Sequence, residues 1–509
     1  MCSTFMGLET NKRGLMAQQA ALYTTGHNLS NANTLGYSRQ RVNMQATEGF
    51  PGGGLGAGTM PGFLGTGVEA GSIQRIRDSF VDQQFRQESH KLGYWESRTN
   101  AISQMEDVLN EPSDYGLSKS LSQFWKSLQD LAVNPENGGA RAVAVNQGIA
   151  VSESFTHINR SLMEIQTSLG KDIEFAADEV NSILSQIAGL NKQISDVEPN
   201  GYLPNDLYDA RDVLLDQLST FFPIETSYDE SGGRASALAE GSVTVSMKMK
   251  DGSTIELVNK TTTATLSPNP ASLVDVATDG TVTNTPITGF KIQTADGKTV
   301  TPGHAEFHAS GKLSSLMNSY GKADGKGLYP EMLAELDKMA AAFIAEFNAI
   351  HAQGEPLPTD PANVKEDNFF TGNSASTIGV NQKIVDDPGL LNASDSADEE
   401  GNGKNAKALG EVQFKGLGSL EGATVQSFYQ GVIGKLGVEG READRLTFNT
   451  GTLLMAVDNR RASVSSVSLD EEMTNMIQFQ HAYNASARMI TVVDETLDKI
   501  INGMGRVGM

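Results

Sequence analysis

Hydrophobic residues recur every seven positions at both ends of this chain. Leu8, Leu15, Leu22 and Leu29, with Phe5 and Ala21 beside them, predict a helix carrying a narrow apolar seam suited to a partner helix. Gln18 and Thr25 are polar where a full coiled-coil seam would be apolar. The helix is expected to stop in Ser30-Asn31-Ala32-Asn33-Thr34-Leu35-Gly36-Tyr37, because Asn and Gly tolerate left-handed backbone. At the other end Leu469, Met476, Tyr483, Ile490, Leu497 and Met504 keep the same spacing, and Phe479, Val493 and Ile500 follow three of them by three residues. These are a and d positions of a fuller seam. Ser468 with Glu471 predicts a capping box and a helix starting at Leu469, while Gly503 and Gly505 are stop signals.

The interior changes period twice. Leu117, Leu121, Phe124, Trp125, Leu128 and Leu131 follow a helical repeat, and Phe155 to Ile194 keeps one for about forty residues, as a long bundle helix would. Leu333, Leu336, Ala340, Phe343 and Phe347 predict another helix over 328–350. From about 224 to 305 the pattern alternates instead. Val243, Val245, Met247 and Met249 precede Asp251-Gly252, and Asp279-Gly280 and Asp296-Gly297 repeat that hairpin cue. Residues 355–411, rich in Pro, Asp, Asn, Ser and Gly, predict mainly irregular surface structure, and 419–464 returns to helix.

A length of 509 residues suggests about three or four domains. With 39 basic and 62 acidic residues the net charge is −23, which repels nucleic acid and anionic lipid, so neither is an expected partner. No apolar run nears the length of a membrane span, and Lys12 and Arg13 break any signal-peptide core. That pattern fits the cytoplasm, or export by a route that does not read such a peptide. The single cysteine, Cys2, excludes an intrachain disulfide. It reads as a tolerated thiol rather than a redox or lipidated residue.

Candidate chemistry is sparse. Residues 49–67 are glycine-rich but lack the Gly-Lys-Ser/Thr ending of a phosphate loop, which favours a flexible connector. His304 and His308 are four apart without a third zinc ligand nearby. Asp209, Asp212 and Asp216 line one helix face, opposite Leu207, Ala210, Leu214 and Leu218. They could bind a cation or do acid–base work, but an ordinary solvated acidic face is the better reading. The stretch from Asp395 to Gly403 resembles a calcium loop in composition only. No catalytic residue, metal site or cofactor is therefore expected.

The terminal helices carry more information. Burying a seam residue stabilises by about 1.5–3 kcal/mol, while ordering each residue costs about 1–2 kcal/mol. With one seam residue in three or four, an isolated pair is near balance, so further neighbours are expected to complete it.

The stretch Asn28-Leu29-Ser30-Asn31-Ala32-Asn33-Thr34-Leu35-Gly36-Tyr37-Ser38-Arg39-Gln40 resembles the N-terminal motif of the flagellar axial family of rod, hook and hook-associated proteins. Val467 to Met473, Phe479 to Arg488, and the run Asp206 to Ser219 are similar to the hook-associated junction branch of that family. Phe347-Asn348-Ala349-Ile350-His351 fits as well. Residues 224–305 and 355–411 carry little of the likeness.

The resemblance implies a subunit joining hook to filament, exported unfolded by the flagellar type III apparatus to the extracellular flagellum. It implies as partners further copies of itself in a ring, the hook protein, a second junction protein (hook-associated protein 3) and an export chaperone. A hook or rod protein of the same family, a secreted enzyme on such a scaffold, and a cytoplasmic coiled-coil adaptor are the rival readings.

The expected fold is α+β and elongated, with paired coiled-coil-like terminal helices, a helical bundle and an inserted β-rich domain. The expected division is 1–60 inner helix and turn, 61–223 first part of the bundle, 224–310 β-rich insert and 311–354 helical return. It continues with 355–411 irregular outer segment, 412–464 second part of the bundle and 465–509 inner helix. The expected assembly interface is Leu8, Leu15, Leu22, Leu29, Leu469, Met476, Phe479, Tyr483, Ile490, Val493, Leu497 and Ile500.

Overall fold

A computed structural model describes residues 4–49, 65–109, 116–276, 282–294, 296–357 and 365–503. Helix α1 (Thr4–Ser30) leads to an antiparallel strand pair, β1 (Gln40–Ala46) and β2 (Val68–Arg75). Helices α2 (Ser79–Leu109), α3 (Leu117–Val133), α4 (Gly138–Val197) and α5 (Asn205–Phe221) follow. Then come short strands: β3 (Ile224–Asp229), β4 (Ser242–Lys248), β5 (Thr254–Asn259), β6 (Thr262–Thr263), β7 (Thr265–Asn269), β8 (Val274–Val276), β9 (Val282–Asn284), β10 (Gly289–Gln293) and β11 (Thr299–Val300). The chain returns through α6 (Lys312–Tyr320), α7 (Leu328–His351), β12 (Phe370–Thr371), β13 (Gly379–Val380), α8 (Gln382–Asp386) and α9 (Lys404–Glu411). Helices α10 (Val425–Ser465) and α11 (Leu469–Asp498) complete it. The fold class is α+β, as the periodicity predicts.

Helix α4 is the backbone of the middle of the molecule. Its 60 residues span about 90 Å at 1.5 Å per residue. It starts before the apolar repeat does, because the Asn137 side chain accepts hydrogen bonds from the Gly139 and Ala140 amides and caps the first turn. One stretch packs into the bundle through Phe155, Leu162 and Leu169. A later stretch carries the β layer. Asn181 donates to Leu266 O and accepts from Leu266 N, and Asn191 donates to the Val243 and Lys260 carbonyls. Two side-chain amides thus dock two sheets, with strand orders β3-β4-β5-β6 and β11-β10-β7, onto one helix. Asp251-Gly252 and Asp296-Gly297 turn their hairpins as expected, with both glycines at positive φ. Asp279-Gly280 lies outside the described residues.

One expectation is corrected here. The 355–411 segment is not mainly surface structure, because Phe369 and Phe370 enter the bundle core. Their rings meet Phe124, Phe343 and Phe347 at centroid distances of 4.9–6.1 Å. Leu390, Leu391 and Leu409 are buried beside them. Two adjacent phenylalanines in a polar stretch show no period, so pattern alone could not place them.

The C-terminus of α7 is fastened to this segment by His351, which is fully buried. Its Nε2 accepts from the Asn392 amide at 3.1 Å, and its Nδ1 lies 2.9 Å from the Asp367 carbonyl, so the neutral Nδ1–H tautomer satisfies both. Burial pushes its pKa down to about 4, partly opposed by the Asp367 carbonyl. His90 is lowered to about 4 by burial and by His308. Both groups take up fewer protons when folded than unfolded. Their stabilisation is complete above pH 6.5 and is lost as pH falls toward 4. Urea unfolding should show stability falling between pH 6.5 and 4, with about 3 kcal/mol of that fall absent in His351→Asn. An unchanged pH slope in the variant would contradict the buried neutral assignment.

Candidate functional site: the terminal helix pair and its ionic anchor

Helices α1 and α11 run antiparallel along each other. A Cβ at Gly7 would lie 4.0 Å from Val493 Cγ2, one at Gly14 would lie 3.6 Å from Ser486 Oγ, and Asn28 Nδ2 donates to Glu472 Oε2 at 3.1 Å. Each step forward in α1 is therefore matched by one step back in α11. The line of α1 turned to α11 carries Gly7, Gly14 and Asn28, one residue ahead of the leucine row. At about 100° per residue the leucines stand to one side of that line. Leu8, Leu15, Leu22 and Leu29 are half-buried on this flank, and β2 packs the other, where Gly67 approaches Thr10 and Arg13. A Cβ at Gly7 or Gly14 would make only ordinary van der Waals contact with α11 side chains, and the leucines stand beside that contact.

On α11, Met476, Phe479, Tyr483, Ile490, Val493 and Leu497 turn toward α1 and are half-buried. Leu469 and Ile500 are exposed, because the register carries them past the two ends of α1. Met504 lies outside the described residues. The outward faces hold further large apolar side chains that sequence reading did not single out. Met16 and Tyr23 on α1, and Met473, Ile477, Met489 and Val492 on α11, are each about half exposed or more.

The turn after α1 anchors the pair. Gly36 takes φ of +78°, and a side chain there would run into Val213 of α5. Asn28 is buried, accepts from the Gln40 amide and from Tyr37 Oη, and donates to the Gln40 carbonyl. Burial, with Asp206, Asp209 and Glu472 nearby, pushes the Tyr37 phenol well above its usual range. Arg39 reaches α11, donating to Glu472 at 2.8 Å and through both terminal nitrogens to Glu471. The hydrogen bonds from Arg39 hold the Glu471 carboxyl below its usual pKa. Helix α11 begins at Leu469 as expected, but the expected capping box does not form. Arg39 takes the Glu471 carboxylate instead, a charge-assisted bidentate contact that outcompetes a back-bond to one amide.

Below the turn lies a buried ionic knot. Asp212 meets Arg75 at 2.9 Å, Arg77 at 3.0 Å and Arg86 at 3.2 Å. Asp209 pairs with Arg75 at 2.7 Å and accepts from the Ser38 amide, while Asp216 takes Arg86 and Arg461. Arg75 and the fully buried Arg211 both reach Glu240 at the entry to the β layer. These aspartates correct the expected solvated acidic face. Their row points inward because β2, α2 and α10 each bring arginines against it. Burial pushes Asp212 up, but Arg77, Arg75, Arg86 and Arg211 outweigh it and hold the carboxyl at about 2. Burial of Asp209 outweighs Arg75 and leaves that carboxyl raised. With every oxygen facing an arginine or an amide, this row is not available for a cation or for proton transfer.

The remaining candidates disperse. His304 faces Asp324 at 3.6 Å, whereas His308 faces His90 and Ser310, and the two share no helix. Asp395 is held by Asn402 and Lys404. No group of three potential metal ligands occurs among the described residues. No described helix is long and apolar enough to cross a membrane. Cys2 and most of 49–67 lie outside the described residues.

Comparison with known proteins points one way. The family described as the flagellar hook-associated protein FlgK helical domain matches residues 102–370. The flagellar basal body rod FlgEFG C-terminal family matches 461–503, and the flagella basal body rod family matches 8–37. Flagellar hook-associated protein 1 of Bacillus subtilis is 44% identical, covering 99% of each chain. That of Escherichia coli is 25% identical over 96% of this chain and 98% of its own. The flagellar hook junction protein FlgK from Burkholderia pseudomallei shares the fold with a TM-score of 0.55 at 12% identity, over 75% of this chain and 100% of its own.

The knot yields a stability prediction. Asp212→Asn keeps the volume but leaves three buried guanidiniums short of one charge, and should cost about 3 kcal/mol in denaturant unfolding at pH 7. The depressed Asp212 carboxyl stabilises fully above pH 3.8 and loses that contribution as pH falls through about 2. The gap between wild type and variant should therefore narrow in acid. A gap that is absent at pH 7, or that widens at pH 2, would contradict this reading of the knot.

Proposed function

The chain belongs to the flagellar hook-associated protein 1 family, and on that premise we propose that its terminal pair builds the hook–filament junction by packing against further copies. The protein is a structural subunit of the flagellum. The observation that carries the assembly reading is the outer face of the pair. Met16, Tyr23, Met473, Ile477, Met489 and Val492 are about half exposed or more on two helices whose seam residues are themselves not fully buried. Soluble monomers rarely expose apolar patches beyond a few hundred Å². Removing each such side chain from water stabilises by about 1.5–3 kcal/mol, enough to turn a marginal pair into a firm tube wall once neighbours arrive.

In this reading copies form a ring with the hook protein on one side and hook-associated protein 3 on the other. The chain reaches the extracellular flagellum through the flagellar type III apparatus, escorted by an export chaperone. The carboxylate row on α5 that could have done chemistry is engaged by arginines, which fits a structural role. The match of the helical-domain family separates it from rod and hook proteins, which share only the terminal segments with it here.

The double variant Ile477→Asp/Val492→Asp should fold with stability within about 0.5 kcal/mol of wild type, because both positions are exposed in the single chain. In a strain lacking the protein it should leave hooks without filaments, where the wild-type chain restores them. Ile490→Asp should instead also loosen the α1–α11 pair itself, since that residue faces the contact. Normal filament attachment with Ile477→Asp/Val492→Asp would overturn assembly through these faces.

A further inference from the structure

Half of the six large apolar side chains left open on the terminal pair are methionines. Met16 is 56%, Met473 54% and Met489 50% exposed. Met473 follows the anchoring Glu472, Met16 lies two residues past Gly14, and Met489 lies three past Ser486, which faces Gly14. The three thioethers are therefore spread along the pair rather than gathered at one point. The rest of the molecule treats methionine differently. Met105, Met317 and Met339 in the bundle and Met247 and Met249 in the β layer are at most 4% exposed. Met163 and Met332 are half-buried. Away from the pair, Met44 on β1 and Met455 on α10 are the exposed methionines among the described residues.

Exposure decides which thioethers an oxidant reaches, and oxidation turns a flexible apolar side chain into a polar sulfoxide. On the single chain that new oxygen is solvated by water and costs little. Once a neighbour closes over it, the oxygen must find a hydrogen-bond donor or be buried without one, which is unfavourable. The same change therefore leaves the monomer folded and spoils the contact that its outer face makes. The core methionines stay out of reach, so the bundle and the β layer are spared.

We propose that Met16, Met473 and Met489 are oxidation sites, at which a peroxide converts the single chain to a form that no longer assembles. The thioether sulfur gives an electron pair to one peroxide oxygen, the O–O bond breaks, and the other oxygen leaves as water. The change is reversible, because methionine sulfoxide reductases, with a thiol as reductant, return the sulfoxide to thioether and release the oxygen as water. This rests on the junction-subunit reading above and adds to it a redox control on the same face. Assembled copies cover the three sulfurs, so the control acts on subunits before they join and not on the finished junction.

The test uses full-length chain carrying Cys2→Ser, so that no thiol reacts, and hooks isolated from a strain lacking the protein. Hydrogen peroxide is added to the chain and removed before mixing. Peptide mass spectrometry should find oxygen on Met16, Met473 and Met489 and none on Met105, Met247 or Met339, with thermal unfolding of the bundle unchanged. The treated chain should sediment with hooks about tenfold less than the untreated one, and sulfoxide reductases should restore it. Met16→Leu/Met473→Leu/Met489→Leu keeps the apolar volume. It should bind hooks and go on binding them after peroxide, although Met44 and Met455 still take up oxygen. Unchanged hook binding by the oxidised chain, an equal loss in the leucine variant, or a treated chain that has lost its fold would overturn the proposal. Failure of the untreated chain to bind hooks would sink the junction reading itself, so the two failures are told apart.

Discussion

The structure depends on two antiparallel terminal helices that cover each other only in part. Gly7 and Gly14 face α11 side chains, which leaves the leucine row at the side and six larger apolar residues about half exposed or more. A pair built this way leaves apolar surface that its own contact does not cover. Its remaining stabilisation lies in surface that no part of the same chain covers among the described residues.

Such a pair needs a fixed point, and the turn after α1 supplies it. Arg39 holds the start of α11 through Glu471 and Glu472, and Asn28 ties the end of α1 to the same Glu472. Ser38 and Gln40 reach α5, whose aspartates gather Arg75, Arg77, Arg86 and Arg461. Buried ion pairs add little net stability over apolar packing, but losing one partner is costly. The knot therefore acts as a geometric lock. It sets the direction in which the pair leaves the bundle, which a junction subunit must hold constant from copy to copy.

Much of this was legible in the chain. The long repeat from Phe155, the runs from Leu117 and Leu328, and the hairpin turns at Asp251 and Asp296 are local signals, and local signals survive into the fold. What stayed hidden is long-range. Asp209, Asp212 and Asp216 look like a solvated row because their partners come from β2, α2 and α10, more than a hundred residues away in either direction. The leucine row of α1 is more visible than Gly7 and Gly14, which face α11, and Glu471 fits a cap in sequence although the fold brings Arg39 over it. Phe369 and Phe370 carry no period at all. Residues 206–219 resemble the family's run, and the physical reason for it is a carboxylate row met by arginines from three elements distant in sequence.

If neighbouring copies complete the terminal pair, amide hydrogen exchange across α1 and α11 must differ between isolated monomer and assembled junction. Both helices should exchange rapidly in the monomer and be strongly protected after assembly, with the bundle around α4 protected in both. Equal, strong protection of α1 and α11 in the monomer would show a self-sufficient pair and contradict completion by neighbours.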